Sequence, residues 1–281
     1  MCRLFGFRSV IQSKMHKSLV GGDQSFMHLS EDHPDGWGVA YYIASAPHVV
    51  KSESAAIKDN LFKKVSGIVA SNTVIAHLRK ATAGSIDITN THPFQYGRWV
   101  FAHNGNIKAF DSYRSALLSD IPEEFKRFII GQTDSELLFY FLIARISEHV
   151  SLHSKAIDAV ALTSAVALAI SEITSIIGPY KLKDGPSTET YLSFILTNGI
   201  EFLVFNGGKP LYYSTHKSVC SEKSDCAYYN QTCEAKSLIG DRINHLLVSS
   251  EPISGDNIWT ALKPGELLTL DRNMRYNIVA I

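Results

Sequence analysis

Apolar residues fall in short β-branched and aromatic runs through the first third of the chain. They then recur at helical spacing, and finally return to short runs. Residues 3–8, 37–43, 48–52, 73–78 and 99–103 are rich in Val, Ile, Phe, Tyr and Trp, with turn residues between them, which predicts five strands. Near Gln132 the period changes. Thr133-Asp134-Ser135-Glu136 fits a capping box, in which the Thr133 hydroxyl and Glu136 satisfy exposed amides at a helix start. Leu137, Leu138, Phe141, Leu142, Arg145 and Ile146 follow at largely helical spacing. A second helix is predicted over 155–177, stopped by Gly178-Pro179. Strands return at 191–196 and 202–205, then at 211–214, 245–249, 266–270 and 276–279.

Strands, then helices, then strands again favour a layered α+β fold with mainly antiparallel sheets over strict strand–helix alternation. Several strands are continuously apolar, as expected of sheets covered on both faces. The polar stretch 217–236 reads as an exposed excursion rather than a linker, because strands resume after it; one domain over 1–281 is expected.

Composition narrows the function classes. With 45% apolar and 19% charged residues in 281, disorder is excluded. Lys and Arg (27) balance Asp and Glu (27), which argues against a nucleic-acid partner. No stretch reaches ~18 uninterrupted apolar residues, so neither a membrane span nor a membrane partner is expected. The nearest candidate, 159–170, carries Thr163 and Ser164 between Asp158 and Glu172 and reads as a buried helix. Nothing near Met1 resembles a secretory signal, so a reducing cytoplasm is the expected location. Cys2, Cys220, Cys226 and Cys233 are too few for a disulfide scaffold, and the gaps of six and seven positions among the last three do not match paired zinc spacing.

The chemistry begins at Cys2. Removal of Met1 would leave a thiol and a free α-amine on one residue, both titrating near neutral pH, and an N-terminal amine can serve as base for its own side chain. Cys2 equally fits a small buried apolar residue in the first strand. Asn104-Gly105, after the strand at 99–103, offers a side-chain amide beside a backbone amide, two donors converging as an oxyanion requires. It is also a common hairpin-turn signal. Arg79 follows a strand and could grip a carboxylate with its planar fork. Asp134, at a helix start, could meet an ammonium or simply complement the helix dipole. His33-Pro34-Asp35-Gly36-Trp37-Gly38 suggests close backbone approach or a bend.

Taken in order, Cys2, Asp35-Gly36-Trp37-Gly38, His77-Leu78-Arg79 with Thr82 and Gly84, His103-Asn104-Gly105 and Thr133-Asp134-Ser135-Glu136 resemble the class II glutamine amidotransferases, N-terminal-nucleophile hydrolases that begin at a cysteine. The motifs cover about residues 2–140. Looser likeness continues through Ser249-Ser250-Glu251-Pro252 and 259–266, as in the stand-alone subgroup.

The resemblance implies a four-layer αββα sandwich. It implies Cys2 as nucleophile with its α-amine as general base, Asn104 and Gly105 as the oxyanion pair, Arg79 on the substrate α-carboxylate and Asp134 on its α-ammonium. Thr82 would line the pocket, with His103 and His77 packed behind it. Lys80 departs from the Trp often found there in synthase-fused members, so pocket closure is expected to differ. The implied reaction cleaves the γ-amide of glutamine or a γ-glutamyl compound through a thioester, with no metal or organic cofactor. Other readings are a glutaminase subunit feeding ammonia to a separate synthase, an inactive amino-acid-binding module, or a metal-dependent hydrolase using His33, His77, His92 and His103. The last lacks the helical two-His spacing of a zinc protease. Specificity beyond the glutamyl head is expected from 32–37 and 217–236.

Overall fold

Side chains alternate across each strand, and this alternation builds the layers. The computed structural model describes residues 2–14, 16–21, 25–82, 84–220, 223–224, 229, 234, 242–253 and 256–281. Strand β1 (Arg3–Lys14) is followed by α1 (His16–Leu19), β2 (Trp37–Ile43), β3 (Ala46–Ser52), α2 (Asn60–Ile68) and β4 (Ala70–Leu78). Then come β5 (Phe94–Tyr96), β6 (Trp99–Asn106), α3 (Phe110–Ser119), α4 (Glu123–Lys126), α5 (Asp134–His149) and α6 (Ala159–Ile177). The last part holds β7 (Tyr191–Thr197), β8 (Phe202–Phe205), β9 (Leu211–Ser214), β10 (His245–Ser249), β11 (Thr260–Leu262), β12 (Glu266–Leu270) and β13 (Tyr276–Ala280).

The strands form two sheets, ordered β11-β9-β10-β1-β4-β2-β3 and β13-β12-β8-β7-β6-β5. Every ladder between them is antiparallel. Leu4, Ala40 and Ile75 of the first sheet meet Val100, Ala102, Ile195 and Val204 of the second in a shared core. The opposite faces are covered too. Phe5, Phe7, Val39 and Val74 pack with Leu19 and Phe62 of α1 and α2. Phe101, Phe194 and Leu196 pack with the buried residues of α3, α5 and α6. The result is the expected αββα layering, and it explains why the strands read as continuously apolar.

Some elements depart from expectation for local reasons. Helix α6 starts at Ala159, not 155, because the Asp158 carboxylate caps it by accepting from the Ala161 amide at 2.8 Å. Thr133 accepts from the Glu136 amide at 3.2 Å as a cap should. Glu136, however, reaches past Thr133 to the amides of Ile130 (3.1 Å) and Gly131 (2.7 Å). By length and a mean hydropathy of 1.9, α6 could cross a membrane. Its Leu162, Val166, Ile170 and Ile173 instead line one face against the core, with Val160 exposed on another. Most of 217–236, including Cys226 and Cys233, lies outside the described residues.

Candidate active site

Three strand ends place the chemistry. In β1 Leu4 points into the inter-sheet core, in β4 Ile75 does, and in β6 Val100 and Ala102 do. Counting by twos, Cys2, Arg79 and Asn104 extend these inward-facing rows to one end of the sandwich. The β1–β4 register sets Arg3 against Leu78, so Cys2 and Arg79 are neighbours across the ladder.

The Cys2 sulfur lies against the backbone of Lys80, 3.4 Å from its nitrogen and 3.5 Å from its carbonyl oxygen. Burial pushes the thiol pKa up, while the Lys80 amide and the Arg79 charge pull it back. Such a thiol is a weak nucleophile until a base takes its proton.

Arg79 is buried and donates from Nη2 to the Ser85 carbonyl at 3.0 Å. A turn holds it from behind. The Arg79 amide donates to the Gly36 carbonyl (2.8 Å), the Asp35 amide to the Arg79 carbonyl (3.1 Å), and the Ala81 amide to the Asp35 carboxylate (2.9 Å). The two glycines serve different ends: Gly36 adopts a φ of +126°, and a Cβ on Gly38 would lie 2.1 Å from the His92 carbonyl oxygen. So 33–38 positions Arg79 from behind.

Asn104 and Gly105 are not a hairpin turn. Both lie within β6, paired with Ser193 and Leu192 of β7. Asn104 Oδ1 is buried with no hydrogen-bond partner among the described residues, and a Cβ on Gly105 would strike the Tyr191 carbonyl oxygen at 2.0 Å. Asp134 opens α5, accepting from the Ile107 amide at 2.6 Å on one oxygen and the Ser135 amide at 2.7 Å on the other. Each carboxylate oxygen has two lone pairs, which leaves capacity for an ammonium.

His103 faces the opposite side of β6 from Asn104. Its Nε2 lies 3.1 Å from the Tyr191 carbonyl oxygen and its Nδ1 2.9 Å from the Ser135 hydroxyl. A carbonyl only accepts, so Nε2 carries the proton of the neutral ring and Nδ1 accepts from Ser135. Burial lowers the His103 pKa, with Asp134 opposing. His77 packs on His92 with tilted rings whose centroids lie 4.1 Å apart, and burial holds both well below the usual imidazole range. Among the described residues no three His, Cys, Asp or Glu side chains are grouped to hold a metal ion.

Two adjoining clefts open over this end. One, of about 520 Å³, is walled by Arg3, Lys80, Thr82, Asn104, Asp184, Lys209 and Ser250 among others. The other, of about 620 Å³, includes Thr82, Asn106, Gln132, Asp134 and Thr188. They share Ala81, Thr82 and Ser187. Asn104, Thr82 and Asp134 thus line open space. The Cys2 sulfur lies against the backbone of Lys80, a residue of the first cleft, and His103 faces the helix side of β6.

Sequence reasoning missed three contributors. Loop 184–188 walls both clefts, and Lys209 anchors it through Asp184 and the Gly185 carbonyl. Ser250 accepts from the Leu4 amide at 2.9 Å. Ser135 orients His103. Only Ser250 and Ser135 stood in motifs already noted; Lys209 and Asp184 lie far apart in a stretch without local pattern.

A family model described as class-II glutamine amidotransferases matches residues 1–278. A Haemophilus influenzae protein, named as a candidate glutamine amidotransferase, is 27% identical over 278 residues, covering 94% of this chain and 82% of that protein. A gamma-glutamyl-hercynylcysteine sulfoxide hydrolase of Mycobacterium tuberculosis is 36% identical over 74 residues, 26% of this chain and 32% of that protein. In three dimensions, a glutamine aminotransferase class-II domain protein from Silicibacter pomeroyi superposes with a TM-score of 0.62 at 21% identity, covering 100% of this chain and 99% of that one.

Proposed function

Because this chain belongs to the class II glutamine amidotransferases, we propose that it is a hydrolase of the γ-amide bond of glutamine or a γ-glutamyl compound, with Cys2 as nucleophile. The observation that carries this reading is the convergence of Cys2, Arg79 and Asn104 at one sandwich end, beneath a cleft that continues to Asp134. The match over residues 1–278 supports reading 1–281 as one such domain.

In the proposed cycle Met1 is removed, and the α-amine of Cys2 takes the proton from its own thiol. The sulfur attacks the γ-carbonyl carbon, and the resulting oxyanion is met by the Asn104 side-chain amide and the Gly105 N–H. The α-ammonium returns its proton to the leaving nitrogen, the C–N bond breaks, and a γ-glutamyl thioester remains. The same amine then deprotonates a water that attacks the thioester, releasing glutamate and restoring the thiol. Arg79 and Asp134 would hold the α-carboxylate and α-ammonium, a paired grip that fixes the γ-carbon near the sulfur. Glutamate release from glutamine and from γ-glutamyl amides tests the reading, alongside the intact mass of the purified protein. Full turnover by protein that retains Met1 would overturn it.

A further inference from the structure

The cleft beside Asn104 is far larger than ammonia needs. A water-sized molecule occupies ~30 Å³ in the liquid, against about 520 Å³ here. If the glutamyl head is held by Arg79 and Asp134 as proposed above, the scissile bond would lie where the two clefts join, with the leaving amine toward this space. Cations outnumber carboxylates on its walls. Arg3, Lys80 and Lys209 line it, and Asp184 is its one carboxylate among the described residues. Two of these cations are already engaged: Arg3 pairs with Glu251, and Lys209 with Asp184 and the Gly185 carbonyl. Lys80 is exposed, and its ammonium has no ion pair or hydrogen bond among the described residues. Yet its backbone touches the nucleophilic sulfur. A flexible cation is therefore tethered one side chain's length from the bond to be cut.

We propose that Lys80 recognises a carboxylate on the leaving amine, making γ-glutamyl amino acids or short γ-glutamyl peptides the preferred substrates over glutamine. A carboxylate in this cleft gains a charge-assisted contact from Lys80. A neutral leaving group gains none. The proposal rests on the γ-glutamyl hydrolase reading above and extends it to the leaving-group side.

The test compares γ-glutamylglycine with its neutral isostere γ-glutamylglycinamide, with glutamine as a third substrate. Wild-type kcat/KM should favour the acid by about tenfold or more at low salt. The preference should shrink as ionic strength rises. Lys80→Met should bring the ratio of the two substrates close to one, and Lys80→Arg should largely keep it. A loss common to both substrates cancels in that ratio, so a merely structural effect would not move it. A wild-type ratio near one, or an undiminished ratio in Lys80→Met, overturns the assignment of Lys80. If the glycinamide and glutamine are cleaved without preference for the acid, the hydrolase reading stands and this inference falls. If none of the three releases glutamate, both fall.

Discussion

Gly105→Ala is the sharpest probe of the proposed oxyanion site, because its consequence is set by backbone atoms that cannot step aside. The added methyl would lie 2.0 Å from the Tyr191 carbonyl oxygen, 2.7 Å from its carbon and 2.3 Å from His103 Nε2. Ordinary contact begins near 3.4 Å, so relief needs a movement of about 1.4 Å. Tyr191 belongs to β7 and accepts from His103, while β6 is flanked by β5 and β7; the strain must open this ladder or push Asn104-Gly105 toward the cleft. Overpacking of this kind costs roughly 1–3 kcal/mol of stability. Oxyanion donors act only at about 2.7–3.1 Å, so a shift beyond 1 Å should lower kcat by about 10²–10³-fold. Calorimetric Tm and glutamate release measure the two effects. Gly97→Ala is the control: its φ is +55°, so alanine is strained there, but nothing lies within 4 Å of the new methyl. That variant should lose some stability and keep its kcat. Wild-type kcat in Gly105→Ala, or an equal loss in Gly97→Ala, would refute the reasoning.

The other expectations are briefer. Cys2→Ala should keep the wild-type circular dichroism spectrum and release no glutamate; measurable full turnover would remove Cys2 from the mechanism. Arg79→Lys loses the planar fork and should cost roughly 2 kcal/mol of substrate binding, seen as a KM about thirtyfold higher, and an unchanged KM would place the α-carboxylate elsewhere. Burial lowers the His245 pKa to about 4 from its usual 6.5. Between those values the unfolded chain binds more protons, so the stability present above pH 6.5 is lost as pH falls toward 4, on the order of 3 kcal/mol. His245→Phe should flatten that loss in urea unfolding at pH 7 and 4.5; an unaltered pH dependence would show that other groups carry it.

Much of the layering was legible because its signals are local. The strand runs at 37–43, 202–205, 211–214, 245–249 and 266–270 match β2, β8, β9, β10 and β12 residue for residue. The Thr133 cap was visible since its donor and acceptor lie three residues apart. The three-residue strands β5 and β11 were not, their patterns being too short to carry a period, and helices α2 and α3 also went unread.

For function, the chain itself determined which groups are present and in what order: a cysteine at position 2, an arginine closing a strand, an Asn-Gly pair, an acid opening a helix. Tertiary structure alone decided what they do together. Asn104-Gly105 carries the same local code in a turn as in a strand, and pairing with β7 makes it strand. Loop 184–188 walls the clefts because Lys209 reaches across from a distant part of the chain to hold it. The physical reason is that period and capping act over a few residues, whereas Cys2, Arg79 and Asn104 meet only when two apolar sheet faces pack and bring three strand ends to one edge.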